Sequence, residues 1–244
     1  MTESIIYNKD AHIAYVILNR PQSNNCIDLQ MLAETKSVCS EIAHDSEIYV
    51  VVVTGKGESF FCGGQENPDR SGIANEIGGI DRPVIAAING DTLGEGLELA
   101  LACDIRIAAS TARFGLPQIA NGYFPMNGGT QRLPRLIGKG KATEMILTGD
   151  IIGAAEALEI GLVHKVIPGP ELAAEVKTMA TAMSAKSVFA LKYAKEAVIK
   201  GTDLTLAQGL RLEADLYMLL HTTADRVEGI QAFRKKQPPK FQGK

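Results

Sequence analysis

The sequence predicts an α/β protein with a sheet-containing core and a helical end. Three observations lead there: short β-branched runs that close on glycine loops, helical segments interleaved with them, and a C-terminal stretch that is helical in period throughout. At 244 residues, 45% hydrophobic and 22% charged, the chain has material for one large domain or two small ones. In chain order, Ile5 to Tyr7 and Ile13 to Leu18 flank the turn formers Asn8-Lys9-Asp10 and read as a hairpin. From Asp28, an N-cap type, Leu29, Leu32, Thr35, Cys39 and Ile42 recur at helical spacing, as in an amphipathic helix lying on a sheet. Ile48 to Thr54, closed by Gly55-Lys56-Gly57, and Val84 to Asn89, closed by Gly90, are apolar enough for buried strands. Asp104 to Ala109, Arg113 to Gly115, and Leu162 to Ile167 before Pro168 add shorter ones. Beyond Pro170, Leu172 to Ser184, Val188 to Ile199, Leu204 to His221 and Arg226 to Lys235 are helical with short breaks. The expected division is a core over 1–169 and a helical region over 170–244, whose unburied faces favour oligomerisation.

Composition excludes several classes of partner. Lys plus Arg number 25 against 28 Asp plus Glu, a net charge of −3, so no basic field exists to hold nucleic acid. Aromatic residues are 5% with no Trp, which argues against a stacking platform for single strands. No apolar run approaches a membrane span and no basic segment leads into an apolar one at the N-terminus, so a cytoplasmic location is expected. Cys26, Cys39, Cys62 and Cys103 are irregularly spaced and lack a zinc-site pattern, as do the isolated His12, His44, His164 and His221; free thiols and no metal are expected.

The chemistry concentrates in glycine loops. In Ile88-Asn89-Gly90-Asp91-Thr92-Leu93-Gly94-Glu95-Gly96-Leu97-Glu98, a strand passes through glycines into a helix start, leaving backbone N–H groups at the positive end of a helix dipole. The spacing fails the dinucleotide fingerprint, because Gly94-Glu95-Gly96 is followed by Leu99 where a third glycine belongs. Glu98 lies one turn after Glu95 among Leu and Ala, where a carboxyl would have a raised pKa suited to proton transfer; both acids could equally be solvated at a helix start. A second loop, Phe60-Phe61-Cys62-Gly63-Gly64-Gln65, could supply a further N–H, and a third, Phe114 to Leu133, is long and rich in turn formers.

Taken in this order, the motifs resemble the crotonase superfamily, the enoyl-CoA hydratase/isomerase family, over almost the whole chain. The residues that carry the resemblance are Leu18-Asn19-Arg20-Pro21 with Asn25, Phe60 to Gly64, Ile88 to Cys103, Phe114 to Pro117, Gly128 to Leu133, Gly161-Leu162-Val163, and Glu228-Gly229 with Ala232-Phe233. The resemblance implies a crotonase-like spiral of β-β-α units with a helical C-terminal region, a homotrimer or dimer of trimers, and an acyl-CoA substrate. No cofactor is implied beyond the coenzyme A carried by the substrate thioester. Matched position by position, it implies oxyanion donors at the N–H groups of Gly64 and Glu95, and a catalytic acid at Glu98. Gln22, Ser23, Asn24, Cys62 and Glu66 become coenzyme A contacts, as do Tyr217, Phe233 and Lys236, often in a neighbouring subunit.

Two departures from the family pattern bear on the reaction. Gln118 stands where the hydratases carry a second glutamate; an amide exchanges no proton at neutral pH but can orient a water. Glu95 stands where glycine is common, so its carboxylate must point away from the enolate, be protonated, or share in proton transfer, and an unequal pair with Glu98 is expected. Met126 leaves no nucleophile at the position some relatives use for dehalogenation. The segment 65–83 is short and glycine-containing, so the acyl-pocket wall should differ from that of relatives. Hydration of a 2-enoyl-CoA is the expected reaction, with double-bond isomerisation or decarboxylation by a single Glu, or a non-catalytic acyl-CoA-binding module, as alternatives.

Overall fold

The computed structural model of the protein describes residues 3–66 and 72–244. The strands are β1 (Ile5–Asp10), β2 (Ile13–Leu18), β3 (Val50–Gly55), β4 (Phe60–Cys62), β5 (Val84–Ile88), β6 (Asp91–Leu93), β7 (Ile105–Ala109), β8 (Arg113–Gly115), β9 (Ile151–Gly153) and β10 (Lys165–Ile167). The helices are α1 (Leu29–His44), α2 (Ile73–Gly78), α3 (Glu95–Ala102), α4 (Gly129–Ile137), α5 (Lys139–Thr148), α6 (Ala154–Glu159), α7 (Leu172–Ser184), α8 (Val188–Gly201), α9 (Leu206–Leu220) and α10 (Ala224–Lys235). Among the described residues, no helix is long and apolar enough to cross a membrane.

The strands form two sheets, in the orders β1-β2-β3-β5-β7-β10 and β4-β6-β8-β9. Among the described residues, only β1 with β2 and β8 with β9 pair antiparallel. Successive units repeat one path: β3, β5 and β7 run in the larger sheet, and β4, β6 and β8 follow each of them into the smaller one. Then α2 and α3 close the first two units, which is the expected β-β-α spiral. The step between sheets needs close backbone approach, since a Cβ at Gly90 would clash with the Ser59 carbonyl. β5 is buried along its whole length, which is why it reads as an uninterrupted apolar run.

The main core lies between the two sheets and α1 to α6, around Phe61, Leu97, Leu99 and Phe114. The other face of the larger sheet is covered by α7, with Val50, Val52, Ile85 and Ile107 against Leu172, Val176 and Ala180. The expected boundary at 169/170 therefore falls just ahead of a helix that packs on the sheet, and α8 is tied to the start of β7 in the same sheet by Lys195 on Asp104 (2.7 Å). The hairpin turn differs from expectation: β1 continues through Asp10 and turns at Ala11–His12, with Asp10 opposite Ile13. Ala11 takes a left-handed φ of 52° to close it, so Asn8 and Lys9 are strand residues despite their turn propensity. Three short strands, β4, β6 and β9, lie outside the runs that read as strands.

Candidate active site

The site is built where the β4 and β6 ends meet the start of α3. Gly94 joins β6 to α3 with φ 54° and ψ −126°, a conformation open to glycine alone, and its N–H is held by the Gly115 carbonyl (3.0 Å). The Gly94 carbonyl accepts the amides of Leu97 (3.0 Å) and Glu98 (3.2 Å), so the N–H groups of Glu95 and Gly96 are left as first-turn donors with no intrahelical acceptor. A Cβ at Gly96 would fall on the Cys62 carbonyl, so only glycine lets α3 rest directly on β4. The two loops touch: a Cβ at Gly94 would stand 3.6 Å from Gly64 Cα.

At the β4 end, Gly64 takes φ 117°, and its carbonyl accepts the Ile27 amide (2.8 Å). A trans peptide sets carbonyl and N–H on opposite sides, so the following N–H, that of Gln65, is turned away from Ile27. The resemblance names the Gly64 N–H as a donor, and the Gln65 N–H lies one peptide further along the same turn. The Pro21–Asn24 turn abuts this loop through Gly63 N–H on the Asn24 carbonyl (2.8 Å), bringing Gln22, Ser23 and Asn24 to its side. Glu66 reaches the same turn through Arg20, whose guanidinium holds Glu66 (2.8 Å), Asp28 (3.2 Å) and the Cys26 carbonyl (2.6 Å). Asn25 is fully buried and ties the turn to the Lys56 and Phe60 carbonyls, at 3.0 and 2.9 Å. Cys62 requires a correction as a coenzyme A contact: it has no accessible surface, lies under Gly96, and its thiol donates to the Gly64 carbonyl (3.5 Å).

Glu98 is 1% exposed. Its Oε1 accepts the amides of Asn127 (2.7 Å) and Gly129 (2.8 Å), and its Oε2 faces Gln118 Nε2 at 3.5 Å. Burial pushes its carboxyl above the usual range, against the pull of those two N–H groups and of Arg132. Gln118 is 4% exposed, and among the described residues its Oε1 has no hydrogen-bond partner. The third loop positions both residues. Pro117 starts a tight turn through Asn121, and Gly128, with φ 104°, leads into α4, whose Arg132 grips the Asn127 carbonyl (2.7 Å). Met126 is 56% exposed and stands outside this buried cluster.

Glu95 has no accessible surface and turns away from Glu98's partners: its Oε1 accepts the Gly72 amide (3.2 Å) at the start of α2. Burial lifts its carboxyl to about 7, the Glu98 charge adding to the rise and the Gly72 and Ile73 amides opposing it. Both acids are thus raised, and they differ in that Glu98 has two short amide bonds and a nearby guanidinium while Glu95 has one longer bond. Residues 67–71 of the expected pocket wall lie outside the described residues. Tyr217 and Phe233, on α9 and α10, are 52% and 85% exposed, and Lys236 ends α10 in a left-handed conformation. Tyr217 lies against Arg226 and His221, a cluster of the helical region's own. The histidines have structural uses: His12 stacks on Tyr49, and His164 Nδ1 accepts the Arg106 amide (3.1 Å).

Sequence reasoning gave no role to Asn127 N–H, Gly129 N–H, Arg132 or Arg20. The Gly128-Gly129 pair ahead of a helix signals the loop that holds Glu98, because a Cβ at Gly129 would press on Glu98 at 3.1 Å. The assembled parts are one buried acid with a single committed oxygen, an amide beside the other oxygen, and bare N–H groups at a helix start. Such a set can move one proton next to a centre where negative charge develops.

Comparisons with known proteins point to one family. The family model described as enoyl-CoA hydratase/isomerase matches residues 8–244. The chain is 42% identical over 259 residues to YngF of Bacillus subtilis, covering 100% of both. It is 37% identical over 254 residues to the crotonyl-CoA hydratase of Syntrophomonas wolfei, covering 98% of each. The crystal structure of an enoyl-CoA hydratase from Bacillus anthracis superimposes with a TM-score of 0.95 at 38% identity, covering 99% of this chain and 100% of that one.

Proposed function

Because the chain belongs to the enoyl-CoA hydratase/isomerase family, whose members process acyl-CoA thioesters, we propose that it hydrates a short 2-enoyl-CoA at Glu98. The observation that carries this reading is two buried acceptors: Glu98 Oε2, which Gln118 Nε2 meets at 3.5 Å, and Gln118 Oε1, which is unpartnered among the described residues. A water donating one hydrogen to each is held with a lone pair directed outward, which is what attack at C3 requires. Glu98 takes the proton of that water as the C–O bond forms. The electron pair of the C2–C3 double bond moves onto the thioester oxygen, and the enolate collapses as Glu98 returns its proton to C2. One carboxyl thus serves as base and then acid, so Gln118 need only orient. The enolate oxygen is met by the Glu95 N–H and by the turn at Gly64 and Gln65; one such donor is typically worth ~10² to 10³ in rate.

No metal or cofactor enters these steps beyond the coenzyme A of the substrate. Gln22, Ser23, Asn24 and Glu66 border the entrance as coenzyme A contacts, and exposed Tyr217, Phe233 and Lys236 serve a neighbouring subunit in a trimer or dimer of trimers of the cytoplasm. Relatives named crotonyl-CoA hydratase and short-chain-enoyl-CoA hydratase, each 37% identical, support the short acyl group.

The test is crotonyl-CoA in heavy water followed by mass spectrometry. Gain of one water is the expected result. Deuterium incorporation without added water would replace hydration by single-acid isomerisation, which the amide at Gln118 favours. Coenzyme A binding with no turnover of any enoyl-CoA would leave a binding module.

A further inference from the structure

We propose that Glu95 is a positioning residue: its carboxylate fastens the start of α2 to the start of α3, so one residue sets both the pocket wall and, through its main-chain N–H, an oxyanion donor. The inference rests on the catalytic reading above for the role of that N–H, and on geometry alone for the fastening.

A carboxylate with no accessible surface is costly unless charges or several donors meet it. Among the described residues Glu95 has no cation within ion-pair distance; its Oε1 takes the Gly72 amide at 3.2 Å and its Oε2 has no partner. A glutamine or an apolar residue would fill the same space without that cost, so the charge calls for a use. The use is visible in how α2 lies against α3, start beside start and end beside end. Gly72 meets Glu95, while a Cβ at Gly78 would stand 3.5 Å from Ala102 Cβ. Arg132 secures the middle, from Asn127 on one side to Asn75 (3.3 Å) on the other. Glu95 is therefore the fastening at the end of α2 nearest the glycine loops.

The groups around Glu95 decide when the fastening holds. Glu98 faces it on its own helix, the buried thiol of Cys62 lies on β4, Arg132 of α4 acts on Glu98, and Glu76 of α2 is paired with Lys36 (3.7 Å). None of them neutralises Glu95, and burial holds its carboxyl at about 7. Above that pH the Gly72 bond is charge-assisted; below it the carboxyl is neutral and the bond weakens.

Two measurements on the full-length protein test this. The Gly72 backbone amide resonance should titrate near neutral pH in the native protein and lie flat in Glu95→Gln; a flat Gly72 in the native protein overturns the inference whether or not the enzyme turns over. With crotonyl-CoA, Glu95→Gln should raise KM about tenfold, and should remove the rise in KM expected of the native enzyme below neutral pH. Identical KM-against-pH curves for the two proteins overturn it. Failure of the native protein to act on any enoyl-CoA while Gly72 titrates leaves the fastening standing and removes the catalytic reading instead.

Discussion

Gln118 Nε2 stands 3.5 Å from Glu98 Oε2, while the other oxygen of that carboxylate is committed to the Asn127 and Gly129 amides. The third loop thus leaves Oε2 as the oxygen that faces Gln118, whose amide is neutral at every working pH. A second glutamate in place of Gln118 would have to share a proton with Glu98 or repel it.

Glu98→Gln is expected to lower kcat by about 10² to 10⁴-fold and to leave coenzyme A binding intact. Steady-state hydration of crotonyl-CoA with calorimetric titration of coenzyme A checks both. Wild-type rates in the variant would remove Glu98 from the chemistry.

Gln118→Glu is expected to add a second ionisation to the pH–rate profile, because two buried carboxyls facing each other titrate as a coupled pair. The neutral-pH limb should fall where both are ionised and the acid limb should gain. An unchanged profile would mean that position 118 does not meet the reacting water.

Glu95 gives a stability prediction with a definite sign. Its carboxyl is lifted from 4.5 to about 7, so between those pH values the folded state holds a proton that the unfolded chain releases, and stability falls as pH rises through the window. For a group with no accessible surface such a lift corresponds to roughly 3 kcal/mol. Glu98 adds in the same direction. Urea unfolding at pH 5 and pH 8 should show the loss in the native protein and a smaller one in Glu95→Gln.

Gly94→Ala should cost about 1 to 3 kcal/mol of stability and most of the activity, since an L side chain resists φ 54° with ψ −126° and the Glu95 N–H would be re-aimed. Thermal unfolding and kcat report the two effects separately; a variant with normal kcat would dissociate the loop's shape from the oxyanion site.

The long elements were legible because each carries its own signal. Residues Leu172–Ser184 form α7 with the bounds that their helical period gives, and Asp28 caps α1 by accepting the Met31 amide (2.7 Å). Strands β4, β6 and β9 were not: each has three residues and abuts a glycine, and at that length alternation alone does not decide, since β8 and β10 of the same length were legible. At the site, Glu98 was readable as an acid in an apolar helix beside glycines. The Asn127 and Gly129 amides that hold it come from about 30 residues away in a loop whose course no local pattern dictates. Glu95 announced itself as an anomaly, but its direction depended on Gly72, a contact made only through space. Cys62 was misread because a residue beside a binding loop need not face it: the β4 pleat turns its side chain inward under Gly96.

The seating of Gly96 on the Cys62 carbonyl also bears on how this scaffold could be diversified in the laboratory. Every single-base missense change of a glycine codon introduces at least a Cβ, and at Gly96 that atom has nowhere to go. A randomised library would therefore lose nearly all variation there, whereas Gly140 and Gly153, with open space around them, should accept most replacements. Selection for new acyl-CoA substrates would be channelled away from the start of α3 and towards positions with open space around them.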